Sequence, residues 1–261
     1  IFNSSDPNEV QEVDHRFLKQ VLPLIKLLKF YFRGEVEGVE TVPDGKALIV
    51  GNHNAGTTFL EPYIMGLEWY KMRPDDLPYF LTHDLLVSLP IIKNLLVKTM
   101  AIRAASETSL QALKQNKKIA VYPGGNYEAF RPYSERHIVD FGGHKGFVKI
   151  ALKAGAPIIP VANKGGHNTF FILKSGRNFA KMIKLNKILR SDSFPIFIGL
   201  PWGIGVGPIP HFPLPAKLKI KIGPPVHLDR YGPDDAENPA VVSELYDLVV
   251  DRVQALYDSI A

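Results

Sequence analysis

The stretch Ala47-Leu48-Ile49-Val50-Gly51-Asn52-His53-Asn54-Ala55-Gly56-Thr57-Thr58 decides the fold. Four apolar residues, two of them β-branched, run straight into a glycine-flanked turn. That pattern marks a buried strand that delivers its last residues to the edge of a sheet. It recurs at Ile119-Ala120-Val121-Tyr122-Pro123-Gly124-Gly125, and short apolar runs follow at 79–81, 101–102, 157–161, 195–200 and 218–222. Helical spacing fills the intervals 61–70, 85–98, 107–115, 145–154 and 176–190. A last helix over 240–260 carries Val242, Leu245, Val249, Val253, Leu256 and Ile260 on one stripe. Strands alternating with helices predict the α/β class, a single domain with a largely parallel central sheet flanked by helices.

Ahead of this domain, assigned to residues 34–261, lies an amphipathic helical segment at 1–33. Residues 1–9 are polar and expected to fray. Val10, Val13, Phe17, Val21, Leu24, Leu28 and Phe32 then recur at helical steps, with Pro23 expected to kink or divide the helix. Phe30, Tyr31 and Phe32 beside Lys26, Lys29 and Arg33 suit a helix lying at a membrane interface; a core-facing helix with a basic solvated side has the same pattern. The apolar run at 21–32 is too short and too charged to span a bilayer. The chain opens on Ile1 rather than Met, which leaves room for a preceding segment.

Composition narrows the chemistry. With 261 residues, 46% hydrophobic and 22% charged, the chain can bury a sizeable core and is not a disordered one. It has no Cys, which excludes disulfides, thiolate metal sites and thiol nucleophiles. A net charge of +5 is a mild bias toward anionic ligands or surfaces.

Two strand ends carry candidate chemistry. His53 stands where an α/β sheet places its ligands, and an imidazole there is able to take a proton from a hydroxyl. Gly124 and Gly125 permit a close backbone approach, so that consecutive N–H groups would face a phosphate or an oxyanion. Arg131, Arg136, His144 and Lys145 make the following stretch polar and cationic.

Three blocks, Gly51-Asn52-His53, Tyr122-Pro123-Gly124-Gly125-Asn126-Tyr127-Glu128-Ala129-Phe130-Arg131-Pro132 and Ala156-Pro157-Ile158-Ile159-Pro160-Val161, stand in one order with fitting separations. Together they resemble the conserved blocks of the glycerolipid and lysophospholipid acyltransferase superfamily, and Ala101-Ile102-Arg103 lies where that family carries an arginine. The resemblance implies transfer of a fatty acyl group from acyl-CoA or acyl carrier protein to a glycerolipid or lysophospholipid hydroxyl. It implies no cofactor beyond acyl-CoA as co-substrate, no metal, and a peripheral location on the cytoplasmic face of a membrane. His53 would be the general base; Arg103, Gly124 and Gly125 would contact the acceptor. Arg131 is added as an acceptor contact because it ends the same block with a charge that can reach a phosphate, and Glu128 of that block is counted among the substrate-binding residues.

The sequence departs from that family in two places. The family's His is followed at the fifth position by Asp, where this chain has Thr58. The nearest downstream acid is Glu61, eight residues on, a rise of about 12 Å along a continuous helix. If residues 54–58 form a loop, Glu61 folds back onto the ring; Thr58 is the alternative partner. Second, Pro123-Gly124-Gly125 replaces the Pro-Glu-Gly of phosphate-acceptor enzymes and resembles the diacylglycerol acyltransferase branch, so a neutral acceptor is also in view.

Between 174 and 190 six Lys or Arg residues (Lys174, Arg177, Lys181, Lys184, Lys187 and Arg190) alternate with apolar ones and no acid, as in a basic helix resting on anionic headgroups. The chain carries no nucleic-acid module. Gly203-Ile204-Gly205-Val206-Gly207-Pro208 reads as a surface loop. His83-Asp84, His144 and His211 are isolated, and His167 is the one of the remaining histidines that would face the cleft. Two rival functions remain on these residues: a thioester or ester hydrolase using His53 on water, and a non-catalytic lipid-binding protein that has lost its His–Asp pair.

Overall fold

Strand β2 (Ala47–Gly51) is buried along its whole length, which is why its sequence is uniformly apolar rather than alternating. The computed structural model describes residues 6–88, 90–185 and 191–261. Around β2 run helix α1 (His15–Tyr31), β1 (Glu35–Glu37), α2 (Glu61–Met72), β3 (Tyr79–Thr82), α3 (Asp84–Ser88), α4 (Pro90–Lys98), β4 (Ala101–Arg103), α5 (Ser106–Lys114) and β5 (Lys118–Val121). There follow α6 (Gly125–Ala129), α7 (Gly146–Ala154), β6 (Ile158–Lys164), β7 (Phe171–Lys174), α8 (Arg177–Met182), β8 (Ile196–Gly199), β9 (Gly203–Val206), β10 (Lys219–Ile222) and α9 (Pro239–Ser259).

The main sheet has the order β1-β10-β6-β2-β5-β3-β4. Strands β6, β2, β5, β3 and β4 are parallel, and β10 alone runs antiparallel to its neighbour β6 while pairing β1 in parallel. The α/β domain with a largely parallel sheet is therefore present. Helix α9 supplies the expected stripe, burying Val242, Leu245, Tyr246, Val249, Val253 and Tyr257, and is capped by Asn238, whose side chain accepts from Ala240 N–H.

Four expectations are corrected. Gly203–Val206 is a strand, and it pairs β8 in a separate three-stranded antiparallel sheet, β7-β8-β9. The run at 195–200 therefore belongs to that second sheet, not to the central one. Its glycine content answers to packing: a Cβ on Gly205 would stand 2.3 Å from the Phe197 ring. Helix α1 continues through Pro23; the proline is exposed, as is Lys19, so the carbonyl it leaves unbonded faces water. Residues 6–9 are tied down, since Arg103 N–H donates to Pro7 O at 2.8 Å. Last, α8 ends at Met182, with Lys184 in the left-handed region at φ 53°, so no single helix extends from 176 to 190. Lys187 and Arg190 lie outside the described residues.

Helix α1 packs on α2 and buries Leu18, with Phe32 fully buried at its end. Leu24, Leu27 and Phe30 remain exposed on its other side. Among the described residues no helix is long and apolar enough to cross a membrane.

Candidate active site

Parallel pairing of β2 with β5 sets Val50 opposite Val121. The residues that leave these two strands, Asn52-His53 and Tyr122-Pro123-Gly124-Gly125, therefore emerge side by side at the carboxyl edge of the sheet, where open α/β folds bind ligands. Asn52 clasps the neighbouring strand on the other side. Its Nδ2 donates to Asn163 O at 2.8 Å, while Asn163 donates N–H to Asn52 Oδ1 at 2.7 Å and Nδ2–H to Asn52 O at 2.6 Å. The base of the His53 loop is thus fixed from two strands.

Beyond His53 the chain does not enter a helix at once. Gly56 at φ +82° and Phe59 at φ 41° bend residues 54–60 into a loop, and α2 begins only at Glu61. The eight-residue gap is closed by this bend. His53 Nδ1 lies 2.5 Å from Glu61 Oε1. Asn54 N–H donates to the same oxygen at 3.1 Å, and Asn54 Nδ2 donates to Oε2 at 3.2 Å. Glu61 is fully buried in the first turn of α2, where the helix dipole favours an anion. Burial opposes its ionisation, but the His53 hydrogen bond and charge outweigh it and hold the carboxyl below its ordinary range. An ionised Glu61 makes Nδ1 the protonated nitrogen and leaves Nε2 as the basic one. Thr58 is not the partner: its Oγ1 is buried and makes no hydrogen bond among the described residues.

The ring is gripped on its faces as well. Tyr122 stacks on it with centroids 4.9 Å apart and planes 26° apart, and Phe59 leans on it at 5.3 Å. The buried Tyr122 hydroxyl has its pKa pushed well above the usual value by burial and by the Glu61 charge, so it stays neutral.

Glu128 and Arg131 stand behind the loop rather than in front of it. Glu128 is fully buried and accepts His53 N–H at Oε2, 2.8 Å away. Arg131, 3% exposed, lies 3.4 Å from the other Glu128 oxygen and donates to Asp140 O at 2.9 Å. Burial raises the Glu128 carboxyl to about 7, against the opposing pull of Arg131, so desolvation and not the ion pair sets its titration. Gly124 makes room for this arrangement, since a Cβ there would stand 2.6 Å from Glu128. Gly125 is different: at φ +46° it faces open space and lines a cavity.

Arg103 is not brought to His53. It ends β4, the far edge strand, separated from β5 by β3, and is held by Asp84 at 2.6 Å and Asn8 at 2.7 Å. Neither arginine named as an acceptor contact therefore presents its charge beside the imidazole. His167, expected to face the cleft, is buried, and burial lowers its pKa to about 3. Among the described residues no group of acids and histidines is arranged to hold a metal ion.

His53 opens onto a cavity of about 330 Å³, within the usual range for ligand pockets. Its walls come from α1 (Leu22, Ile25), α2 (Tyr63, Gly66), β3 (Phe80) and α4 (Leu96), and they are overwhelmingly apolar. Among the described residues no Lys or Arg lines it. The sequence reading missed this chamber because its walls are scattered over four elements. The second sheet buttresses the loop from outside: Phe170, Ile172 and Phe197 pack with Ala55 and Phe130 in a small separate core. His211 stacks on Phe170 at 3.6 Å, and a Cβ on Gly56 would meet the His211 ring at 2.3 Å.

Comparison with known proteins agrees with this arrangement. A family model described as Acyltransferase matches residues 33–164, the stretch from the end of α1 through β6. An uncharacterized protein of Mycobacterium bovis is 30% identical over 238 residues, 90% of this chain and 63% of its own length. A chicken protein named DGAT1/2-independent enzyme synthesizing storage lipids is 28% identical over 174 residues, 64% of this chain and 51% of that one. The chain thus spans less than two thirds of the length of these relatives. The crystal structure of the 1-acyl-sn-glycerophosphate acyltransferase PlsC from Thermotoga maritima shares the fold, with a TM-score of 0.55 at 18% identity over 93% of this chain and 79% of that one. On the family match, which takes in both strand-end blocks, the chain belongs to the acyltransferase family.

Proposed function

We propose that this protein is an O-acyltransferase that moves a fatty acyl group from a thioester, acyl-CoA or acyl carrier protein, to a glycerolipid hydroxyl. One observation carries the reading: an imidazole held at Nδ1 by a buried carboxylate 2.5 Å away lines an apolar cavity. His53 Nε2 takes the proton of the acceptor hydroxyl as its oxygen attacks the thioester carbonyl. The tetrahedral intermediate collapses by breaking the C–S bond. The departing thiolate takes the proton back from the imidazolium, so ester and free thiol leave with the base regenerated. Glu61 keeps the tautomer and stabilises the imidazolium as it forms. The apolar walls hold the acyl chain and keep water from competing with the alcohol.

The acceptor is a neutral acylglycerol. Phosphate is commonly held by Arg or Lys, yet Arg103 and Arg131 are both paired with acids and, among the described residues, no Arg or Lys lines the cavity. The storage-lipid enzyme among the relatives, and the Pro123-Gly124-Gly125 block, point the same way. The acylglycerol acceptor partitions into membranes, and the protein acts there peripherally, on the cytoplasmic face. The test is labelled acyl-CoA offered with monoacylglycerol, diacylglycerol and lysophosphatidate. Acylated neutral lipid with stoichiometric thiol release is expected. Free fatty acid formed without dependence on acceptor would instead identify a hydrolase, and binding without turnover a non-catalytic lipid-binding protein.

A further inference from the structure

We propose that the outer face of the β7-β8-β9 sheet is a docking surface for an anionic phospholipid bilayer, continuous with the exposed end of α1. The inference rests on the acyltransferase reading for the reason the protein needs a lipid surface. Its own support is geometric.

Pairing of β8 with β9 sets Ile196 opposite Val206 and Ile198 opposite Ile204, so all four side chains leave the same face. The other face carries Phe197 and Ile172, buried against the His53 loop. An antiparallel sheet at a protein surface ordinarily alternates apolar inward with polar outward. Here the outward face is aliphatic too: Ile204 is 75% exposed and Ile196, Ile198 and Val206 are all exposed. The hairpin tip adds Trp202, 53% exposed, whose Nε1–H donates to Pro210 O at 2.7 Å. Phe212, 68% exposed, is held beside it by a bond from its N–H to Leu200 O at 2.8 Å.

This patch does not stop at the sheet. Tyr31 Oη donates to Pro213 O at 3.0 Å, which ties the end of α1 to the loop carrying Phe212. Phe30, 81% exposed, and Leu27 extend the apolar surface along the helix. The same helix lines the acyl cavity through Leu22 and Ile25. A surface that enters lipid here brings one wall of the cavity with it.

Charge selects the occupant. From residue 141 to residue 228 the sequence contains one acid, Asp192. Lys174 stands opposite Ile196 on the apolar face; Lys181 in α8 and Lys184 just past it are exposed, as are Lys26 in α1 and Arg33 just past its end. Aliphatic and aromatic side chains with a tryptophan at the tip, on elements that carry exposed cations, match an interface of acyl chains below anionic headgroups. Two copies placed face to face would oppose their cations, which disfavours a dimer.

The two tryptophans make the test direct, because Trp69 is fully buried and Trp202 is not. Full-length protein is mixed with phosphatidylcholine vesicles with and without phosphatidylserine. Vesicles containing phosphatidylserine should blue-shift the emission and allow bromine-labelled acyl chains to quench it. Trp202→Phe should remove both signals while the protein still pellets. Ile198→Ser with Ile204→Ser should lower vesicle partitioning about tenfold or more, the loss expected from two aliphatic side chains no longer buried. Its folding is checked by Trp69 emission and thermal midpoint. Transfer from a soluble short-chain thioester to a short-chain acceptor should be unchanged in that variant, so failure of the docking idea and failure of the acyltransferase reading give different results. Unmoved Trp202 emission would overturn the proposal. So would loss of pelleting in Phe30→Ser with none in the serine pair, or self-association without lipid that the serine pair abolishes.

Discussion

Replacing Glu61 by Gln tests the proposed catalytic pair at its least exposed member. The carboxylate accepts three hydrogen bonds, from His53 Nδ1 at 2.5 Å, Asn54 N–H at 3.1 Å and Asn54 Nδ2 at 3.2 Å. A carboxamide has one acceptor oxygen, so its NH2 must point at a donor whichever way it turns. The charge-assisted bond to the ring is lost or faces a donor, and the imidazolium loses its counter-charge. A hydrogen bond to a charged group is worth about 1.5–3 kcal/mol, which is roughly 10- to 150-fold in rate. Glu61 does not line the cavity, so the loss should fall on kcat and leave KM nearly alone. Glu61→Asp keeps the charge but withdraws it by ~1.5 Å, one carbon–carbon bond, and should fall between. The assay is thiol release from acyl-CoA at saturating acceptor, with thermal unfolding run in parallel. A Gln variant that unfolds like the parent and turns over within about twofold of it would refute the role assigned to the carboxylate.

Two further outcomes follow from the surroundings of that pair. Burial raises Glu128 to about 7 in the native state against 4.5 as its ordinary value. Between those values the folded protein holds a proton that the unfolded chain releases, so this group's contribution is complete below 4.5 and is lost as pH rises through 7. The loss is about 3 kcal/mol, and Glu128→Gln should flatten that part of the stability profile in denaturant titrations at pH 5 and pH 8; an unaltered slope would contradict it. Gly66 lines the cavity with only the Phe80 ring, at 3.9 Å, near its open position. Gly66→Phe should therefore shorten the chamber and shift the preference, measured as kcat/KM across a thioester series, to shorter acyl chains by about tenfold or more, the discrimination that a single methylene in a pocket provides.

The sheet and the placement of His53 were legible because a strand buried on both faces has few ways to be written: Ala47 to Val50 carry no polar residue, and a glycine turn follows at once. The Glu61 partner was legible only in part. Its spacing from His53 is wrong for a helix, and the bend that rescues it depends on Gly56, whose φ of +82° is ordinary for glycine, and on Phe59, whose positive φ no sequence pattern announces. The second sheet was hidden for a tertiary reason. Gly203-Ile204-Gly205-Val206 looks like a loop until the Phe197 ring is in place, because the ring needs the room a side chain at 205 would take. Arg131 and Arg103 were read by charge alone, and charge does not reveal that Glu128 and Asp84 already claim them. The cavity was invisible because residues from α1, α2, β3 and α4 become one wall only when folded.

The most direct measurement is acyl transfer by His53→Ala with labelled acyl-CoA and diacylglycerol, on protein whose unfolding transition matches the parent. General-base catalysis contributes about 10²–10⁴ in rate, and Glu61 has no other ring to orient. A fall of at least about 10² in kcat, with acyl-CoA still bound, is the outcome the proposed mechanism predicts. Turnover near that of the unaltered protein would mean that the hydroxyl loses its proton elsewhere.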